Sequence, residues 1–133
     1  MHIFTYGSLM FPQVWQHVVR GTYRSAPASL AGHARYALVG ETYPGIIAQE
    51  GAHVTGVLYF DVAAQDVAAL DAFEGEEYRR DQVPLTLASG EAMIAGTYVY
   101  LLPHRLSGLP WQPEAFRMAT FLGTCCRDKL EEG

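Results

Sequence analysis

Hydrophobic and polar positions divide the chain into short segments of two periodicities. The opening His2-Ile3-Phe4-Thr5-Tyr6 alternates as a strand does. Pro12 to Val19 follows as a short helix, with proline in the first turn, where its missing N–H costs nothing. Thr22 to Pro27 reads as a connection, and Ser29 to Val39 has strand character around Tyr36-Ala37-Leu38-Val39. Tyr43-Pro44-Gly45 predicts a turn before a short strand at Ile46-Ile47-Ala48. Val54 to Phe60 is a clearer strand, rich in β-formers, with Gly56 as a candidate bulge. Asp61 is placed to cap an amphipathic helix over Ala63 to Phe73, where Val67, Leu70 and Phe73 recur at helical intervals, and the helix should end near Gly75. Tyr78 to Leu87 and Glu91 to Leu102 form a hairpin across Ala88-Ser89-Gly90. A proline-punctuated loop, Pro103 to Pro113, carries Trp111, and Pro113 to Leu130 closes the chain as a helix. The order β, α, several β, α, hairpin, α predicts an α+β fold, a small mixed, mostly antiparallel β-barrel flanked by helices.

Composition narrows this further. The length of 133 residues and a 50% hydrophobic content suit a single domain, 1–133, with a real core. The net charge of −5, without any run of Lys or Arg, excludes nucleic acid and an anionic membrane surface as partners. No apolar run reaches membrane-spanning length, and the first residues lack a charged flank and cleavage site, so the expectation is a cytoplasmic protein. Cys125 and Cys126 are adjacent, diverging by about 100° on a helix, so a bridge between them is strained. With Phe116, Ala119 and Gly123, Cys126 lies on an apolar helix face and reads as core packing. His2, His17, His33, His53 and His104 are too dispersed for a ligand motif, so no metal is expected. Oligomeric state leaves no signal.

Chemistry concentrates in two places. At Tyr6-Gly7-Ser8-Leu9 a strand breaks and a helix begins, leaving backbone N–H groups unpaired at the positive end of a helix dipole, a cradle for an anionic or strongly polar ligand. The surroundings are neither GxSxG nor a phosphate-binding loop, so Ser8 has little claim as a nucleophile. The second place is Leu70-Asp71-Ala72-Phe73-Glu74-Gly75-Glu76-Glu77-Tyr78. Glu74 ends a helix beside Phe73 and just before Tyr78, where partial desolvation favours a general base. From spacing alone Glu74 reads equally as a solvated acid, and Asp71, Glu76 or Glu77 can fill the same role, although these three look more like surface charges or partners for Arg79 and Arg80. Trp111 is a lid aromatic or a loop anchor.

Four motifs occur in order between Ile3 and Tyr100: Tyr6-Gly7-Ser8-Leu9, Tyr43-Pro44-Gly45-Ile46, Gly56-Val57-Leu58-Tyr59, and LDxFEGxxYxRxxV from Leu70 to Val83. In this the chain resembles the γ-glutamylcyclotransferase-like family, and its short Gly75 to Tyr78 spacer is similar to the compact bacterial and plant members. The resemblance implies a β-barrel flanked by helices and release of 5-oxoproline from a small γ-glutamyl amine or peptide. It implies Glu74 as the catalytic glutamate, Tyr6, Gly7, Ser8 and Leu9 as the loop holding the γ-glutamyl group, and no cofactor. Tyr43, Trp111 and the Pro103 to Pro113 loop are expected to shape the leaving-group pocket. Two other readings remain at this point: a non-catalytic module that binds a small carboxylate-bearing metabolite, and a hydrolase dependent on Ser8.

Overall fold

β1 (Ile3–Thr5) is wholly buried because it lies between two strands and packs on both faces. In the computed structural model, which describes residues 1–113, it runs antiparallel to β3 (Pro44–Tyr59) and parallel to β5 (Ala92–Tyr100). β5 pairs with β4 (Tyr78–Leu87), β4 with β2 (Ser25–Leu38), and β2 returns to β3, closing a mixed five-stranded barrel. The helices α1 (Pro12–Val18) and α2 (Ala64–Glu74) pack against the barrel. The body of the helix expected up to Leu130, with Cys125 and Cys126, lies outside the described residues. Among those described, no helix is long and apolar enough to cross a membrane.

Strand alternation splits the core into two layers. Phe4, Leu30, Ile46, Leu58, Leu85 and Ala95 fill the barrel. Ile3, Trp15, Tyr59, Val67, Leu70 and Phe73 join the barrel wall to the helices, and Trp15 stacks on Tyr59 with ring centroids 3.7 Å apart. The glycine stop of α2 is as expected: Gly75 has φ 80°, and its N–H donates to Asp71 O.

Four expectations need correction. First, the connection ends at Arg24: Ser25 to Pro27 and the three strands expected at Ser29 to Val39, Ile46 to Ala48 and Val54 to Phe60 are parts of one long ribbon. β2 and β3 pair from Ser25↔Tyr59 to Ala37↔Pro44. The polar run Gln49-Glu50-Gly51 reads as a break because this stretch of the ribbon is exposed, so no hydrophobic pattern marks it. Second, the turn precedes Tyr43-Pro44-Gly45: Gly40, with φ 77°, supplies it, and Pro44 opens β3. Third, the register slip lies between Ala31 and His33, around Gly32 with φ 73°, and not at Gly56. Fourth, Asp61 does not cap α2; it takes a positive φ of 53°, and Ala63 occupies the cap position. The loop before Pro113 also contains a strand, β6 (Leu106–Pro110), added to the end of β2.

The first turn of α2 is held instead by Asp66, which is 2% exposed. Its Oδ1 accepts the Arg20 N–H at 3.0 Å, and its Oδ2 accepts the Gly21 N–H at 2.9 Å and the Tyr23 hydroxyl. Burial alone pushes this carboxyl upward, but the Tyr23 hydroxyl and the two N–H groups more than reverse it, leaving it below the ordinary carboxylate range. A carboxylate lowered by folding stabilises the native state fully above its unfolded value, and the contribution disappears as pH falls through the folded value. Asp66→Ala should therefore cost about 2–3 kcal/mol at neutral pH. The gap between variant and wild type should close in acid, below the ordinary carboxylate range, as measured by urea unfolding across pH.

Candidate active site

β1 ends at Thr5, whose hydroxyl donates to Val57 O at 2.8 Å. The chain then turns through a single 3-10 turn, Ser8–Met10, into α1. That turn uses the N–H groups of Met10 and Phe11, which donate to Gly7 O and Ser8 O at 3.0 and 3.1 Å. The N–H groups of Gly7, Ser8 and Leu9 make no such bond among the described residues, as expected for a strand-to-helix break. Gly7 is required here by close approach: a Cβ at this position would lie 2.8 Å from Pro44 Cδ. The cradle and the start of β3 thus touch.

The closing of the barrel brings Glu74, the last residue of α2, to the same place. A narrow cleft that opens to solvent is lined by Phe4, Thr5, Tyr6, Gly7, Ser8, Leu9, Tyr43, Pro44, Phe73, Glu74, Tyr78 and Tyr98. Five of the residues proposed for substrate, Tyr6, Gly7, Ser8, Leu9 and Tyr43, therefore share a cavity with Glu74. Trp111 does not line it. Its indole N–H donates to Thr42 O at 3.0 Å, and its ring lies 5.3 Å from the Arg35 guanidinium, so it braces the segment before Pro44 from behind.

Glu74 is half-buried and surrounded by phenols. Burial first, and then the Glu74 charge, hold the Tyr6 hydroxyl well above the ordinary phenol range. Burial, Tyr6 and Glu74 do the same for Tyr78, and for Tyr98 burial, the bond to Asp71 and Glu74 combine. All three phenols are therefore neutral donors, and their protons go elsewhere: Tyr6 to Tyr98 O, Tyr78 to Pro44 O at 2.8 Å, and Tyr98 to Asp71 Oδ1 at 2.7 Å. These bonds tie the loop after β1, the start of β3 and the end of α2 into one rigid rim.

Sequence reasoning passed over two contributors. Arg35 on β2 donates to Tyr6 O at 2.6 Å and Thr55 O at 3.2 Å, fixing the carbonyl at the base of the cradle. Tyr98 presents both its hydroxyl and its carbonyl to the rim, which depends on the β4–β5 register and leaves no local signal beyond the Tyr98/Tyr100 alternation. The other acids also sort differently. Asp71 pairs with Arg80 at 2.9 Å as suggested, but Arg79 pairs with Asp81 at 2.8 Å, and Glu77 binds Arg105 at 2.7 Å and the Tyr100 hydroxyl at 2.6 Å.

The fold and the sequence have counterparts. A family profile described as gamma-glutamyl cyclotransferase, AIG2-like, matches residues 3–115. AIG2-like protein D of Arabidopsis thaliana is 36% identical over 103 residues, which is 75% of this chain and 68% of that protein. AIG2-like protein A of the same plant is 33% identical, and the chain spans 61% of its length. A solution structure of an Arabidopsis thaliana protein superposes with a TM-score of 0.73 at 30% identity, covering 98% of this chain and 82% of that one. A structure named gamma-glutamyl cyclotransferase superposes with a TM-score of 0.65 over 99% of this chain and 98% of its own; at 14% identity this likeness shows the fold. A profile match over most of the chain and a relative at 36% identity show the family: the chain belongs to the AIG2-like gamma-glutamyl cyclotransferase family.

Proposed function

We propose that this protein is a γ-glutamyl cyclotransferase that releases 5-oxoproline from a small γ-glutamyl amine or peptide, with Glu74 as its general acid and base. The observation that carries the reading is the common cleft of Glu74 and the Gly7-Ser8-Leu9 turn, one side offering a carboxylate and the other N–H donors with no acceptor among the described residues. A γ-glutamyl group has complementary ends, an α-ammonium for the carboxylate and oxygens for the donors.

The reaction follows from that pairing. Glu74 takes a proton from the substrate's α-ammonium, and the freed amine attacks the γ-carbonyl carbon within the same molecule. Holding the glutamyl chain bent toward a five-membered ring supplies much of the rate, since the attack is intramolecular. The new C–N bond forms as charge develops on the γ-oxygen, which the cradle's N–H groups can stabilise. Glu74 returns its proton to the departing nitrogen as the bond to the leaving amine breaks, then takes the second proton of the ring nitrogen to leave the lactam amide and passes it to the released amine, which departs as an ammonium. Atoms and charge balance without a metal or an organic cofactor. Among the described residues no histidine lines the cleft, so the Ser–His pair of a serine hydrolase is not assembled there.

A panel of γ-glutamyl amines and γ-glutamyl dipeptides, assayed chromatographically for 5-oxoproline, tests the proposal. At least one member should give product in equal amount to the released amine. Thermal stabilisation by these compounds with no product from any of them would replace the enzyme with a binding module.

A further inference from the structure

Three of the four phenols that share the cleft with Glu74, those of Tyr6, Tyr78 and Tyr98, raise a question of proton direction. A phenol has one proton to donate, and a phenol that gives it to a carboxylate stabilises the charged form and weakens the base. Tyr6 and Tyr78 give theirs to the backbone carbonyls of Tyr98 and Pro44, acceptors that no side-chain change removes. Tyr98 is different, because its acceptor is a side chain: Asp71 Oδ1, at 2.7 Å. Asp71 stands one helical turn before Glu74 on α2, at the i, i+3 spacing that places both on neighbouring positions of one face. Its carboxylate is itself fixed by a two-pronged pair with Arg80, Nε to Oδ1 at 2.9 Å and the terminal nitrogen to Oδ2 at 3.3 Å. Arg80 lies opposite Tyr98 in the β4–β5 ladder, so the three side chains meet on one patch of the barrel wall.

We infer that Asp71 is a positioning residue for Glu74: by accepting the only phenolic proton of Tyr98 it turns that hydroxyl away from the cleft and keeps Glu74 a base. The catalytic consequence rests on the cyclotransferase reading, but the orientation of the phenol does not. Among the described residues, the titratable groups that share the cleft with Glu74 are Tyr6 from the loop after β1, Tyr43 from the β2–β3 turn, Tyr78 from β4 and Tyr98 from β5, with Asp71 one turn earlier on its own helix. Arg35 is engaged by the Tyr6 carbonyl and Arg80 by Asp71. Removing Asp71 therefore does two things at once, freeing the Tyr98 proton and deleting a charge, and the test has to separate them.

Carbon NMR of the full chain, labelled at glutamate side-chain carboxyls, gives a direct reading, with the Glu74 signal assigned by its loss in Glu74→Gln. In Asp71→Ala the Glu74 titration midpoint should fall by about one pH unit as Tyr98 turns toward it. In Asp71→Ala/Tyr98→Phe the midpoint should return to near the wild-type position, although the Asp71 charge is still absent. An equal fall in single and double variants would assign the effect to charge alone and overturn the inference, as would an unmoved midpoint in Asp71→Ala. If Asp71→Ala does not fold, Tyr98→Phe alone decides, because a phenol already turned away should leave the midpoint unmoved when its hydroxyl is deleted, whereas a rise would overturn the inference. Where turnover is measurable, the acidic limb of kcat/KM should shift with the NMR midpoint, and plateau kcat should fall about threefold while KM holds. Absence of turnover on every γ-glutamyl compound would count against the cyclotransferase reading and leave the NMR result standing.

Discussion

Glu74→Gln should lower kcat for 5-oxoproline release by about a thousandfold while leaving the fold intact. Glutamine keeps the volume and both heavy-atom branches of the side chain but cannot collect a proton from an ammonium group or hand one to a leaving amine. The helix keeps its end in this variant, since α2 is terminated by Gly75 and Asp71 ties its last turn to Arg80 and Tyr98. Thermal midpoint and circular dichroism should match wild type, and γ-glutamyl compounds should still raise the midpoint, because the Gly7-Ser8-Leu9 donors are untouched. Steady-state kinetics with a coupled or chromatographic assay measures the first part, and thermal shift with the same ligands the second. Turnover within tenfold of wild type would remove Glu74 from the chemistry and direct attention to the remaining titratable groups of the cleft. Glu74→Asp is informative beside it: the acid remains, shortened by one methylene, and partial activity would tie the rate to reach.

Much of this arrangement was legible in the sequence, for identifiable reasons. The helix over Ala64–Glu74 announces itself through Val67, Leu70 and Phe73, and its end through a glycine, so the position of Glu74 at a helix terminus needed no tertiary information. The cradle was legible because a strand that stops at Gly7-Ser8 before Pro12 must leave donors unpaired. The β2–β3 ribbon was not, because the middle of a ribbon exposed on both faces has the composition of a loop, and only its pairing partner declares it a strand. Asp61 looked like a helix cap because it precedes an apolar periodic run, yet Asp66, buried beneath the loop at Arg20 and Gly21, does the fastening through contacts more than forty residues away in sequence. The same distance problem hid the roles of Trp111, Arg35 and Tyr98. Trp111 is near Pro110 and Pro113 in sequence, but its partners are Thr42 and Arg35. Local pattern names the residues at a site; which of them face one another is decided by strand register.

The largest loss of stability is expected from Gly56→Ala, and it tests the physical account of that glycine. A bulge glycine would be tolerant of a methyl group, at the modest cost of its backbone preference. Gly56 instead pairs in regular register with Ala28, and a Cβ built on it would lie 2.1 Å from the Thr5 carbonyl oxygen and 2.9 Å from the Phe4 ring. The first of these is a backbone atom of β1, so no side-chain rotation relieves the overlap. β1 and β3 have to move apart by about an ångström, in the strand pair that orders Phe4, the largest fully buried side chain, and that leads directly into Tyr6 and Gly7. Overpacking of this kind costs about 3 kcal/mol or more, a large share of the stability of a small domain, and corresponds to a fall in Tm of roughly 10 °C. Gly51→Ala in the same strand is the control: Gly51 has a positive φ of 82° but nothing within 4 Å of its Cβ position, so the loss there should be only about 1–2 kcal/mol. Differential scanning calorimetry of the two variants distinguishes crowding from backbone preference. If Gly56→Ala loses no more than Gly51→Ala, the contact between β3 and the end of β1 is looser than drawn here. Because that contact fixes where the cradle begins, such slack would also predict a cleft whose two sides shift relative to Glu74.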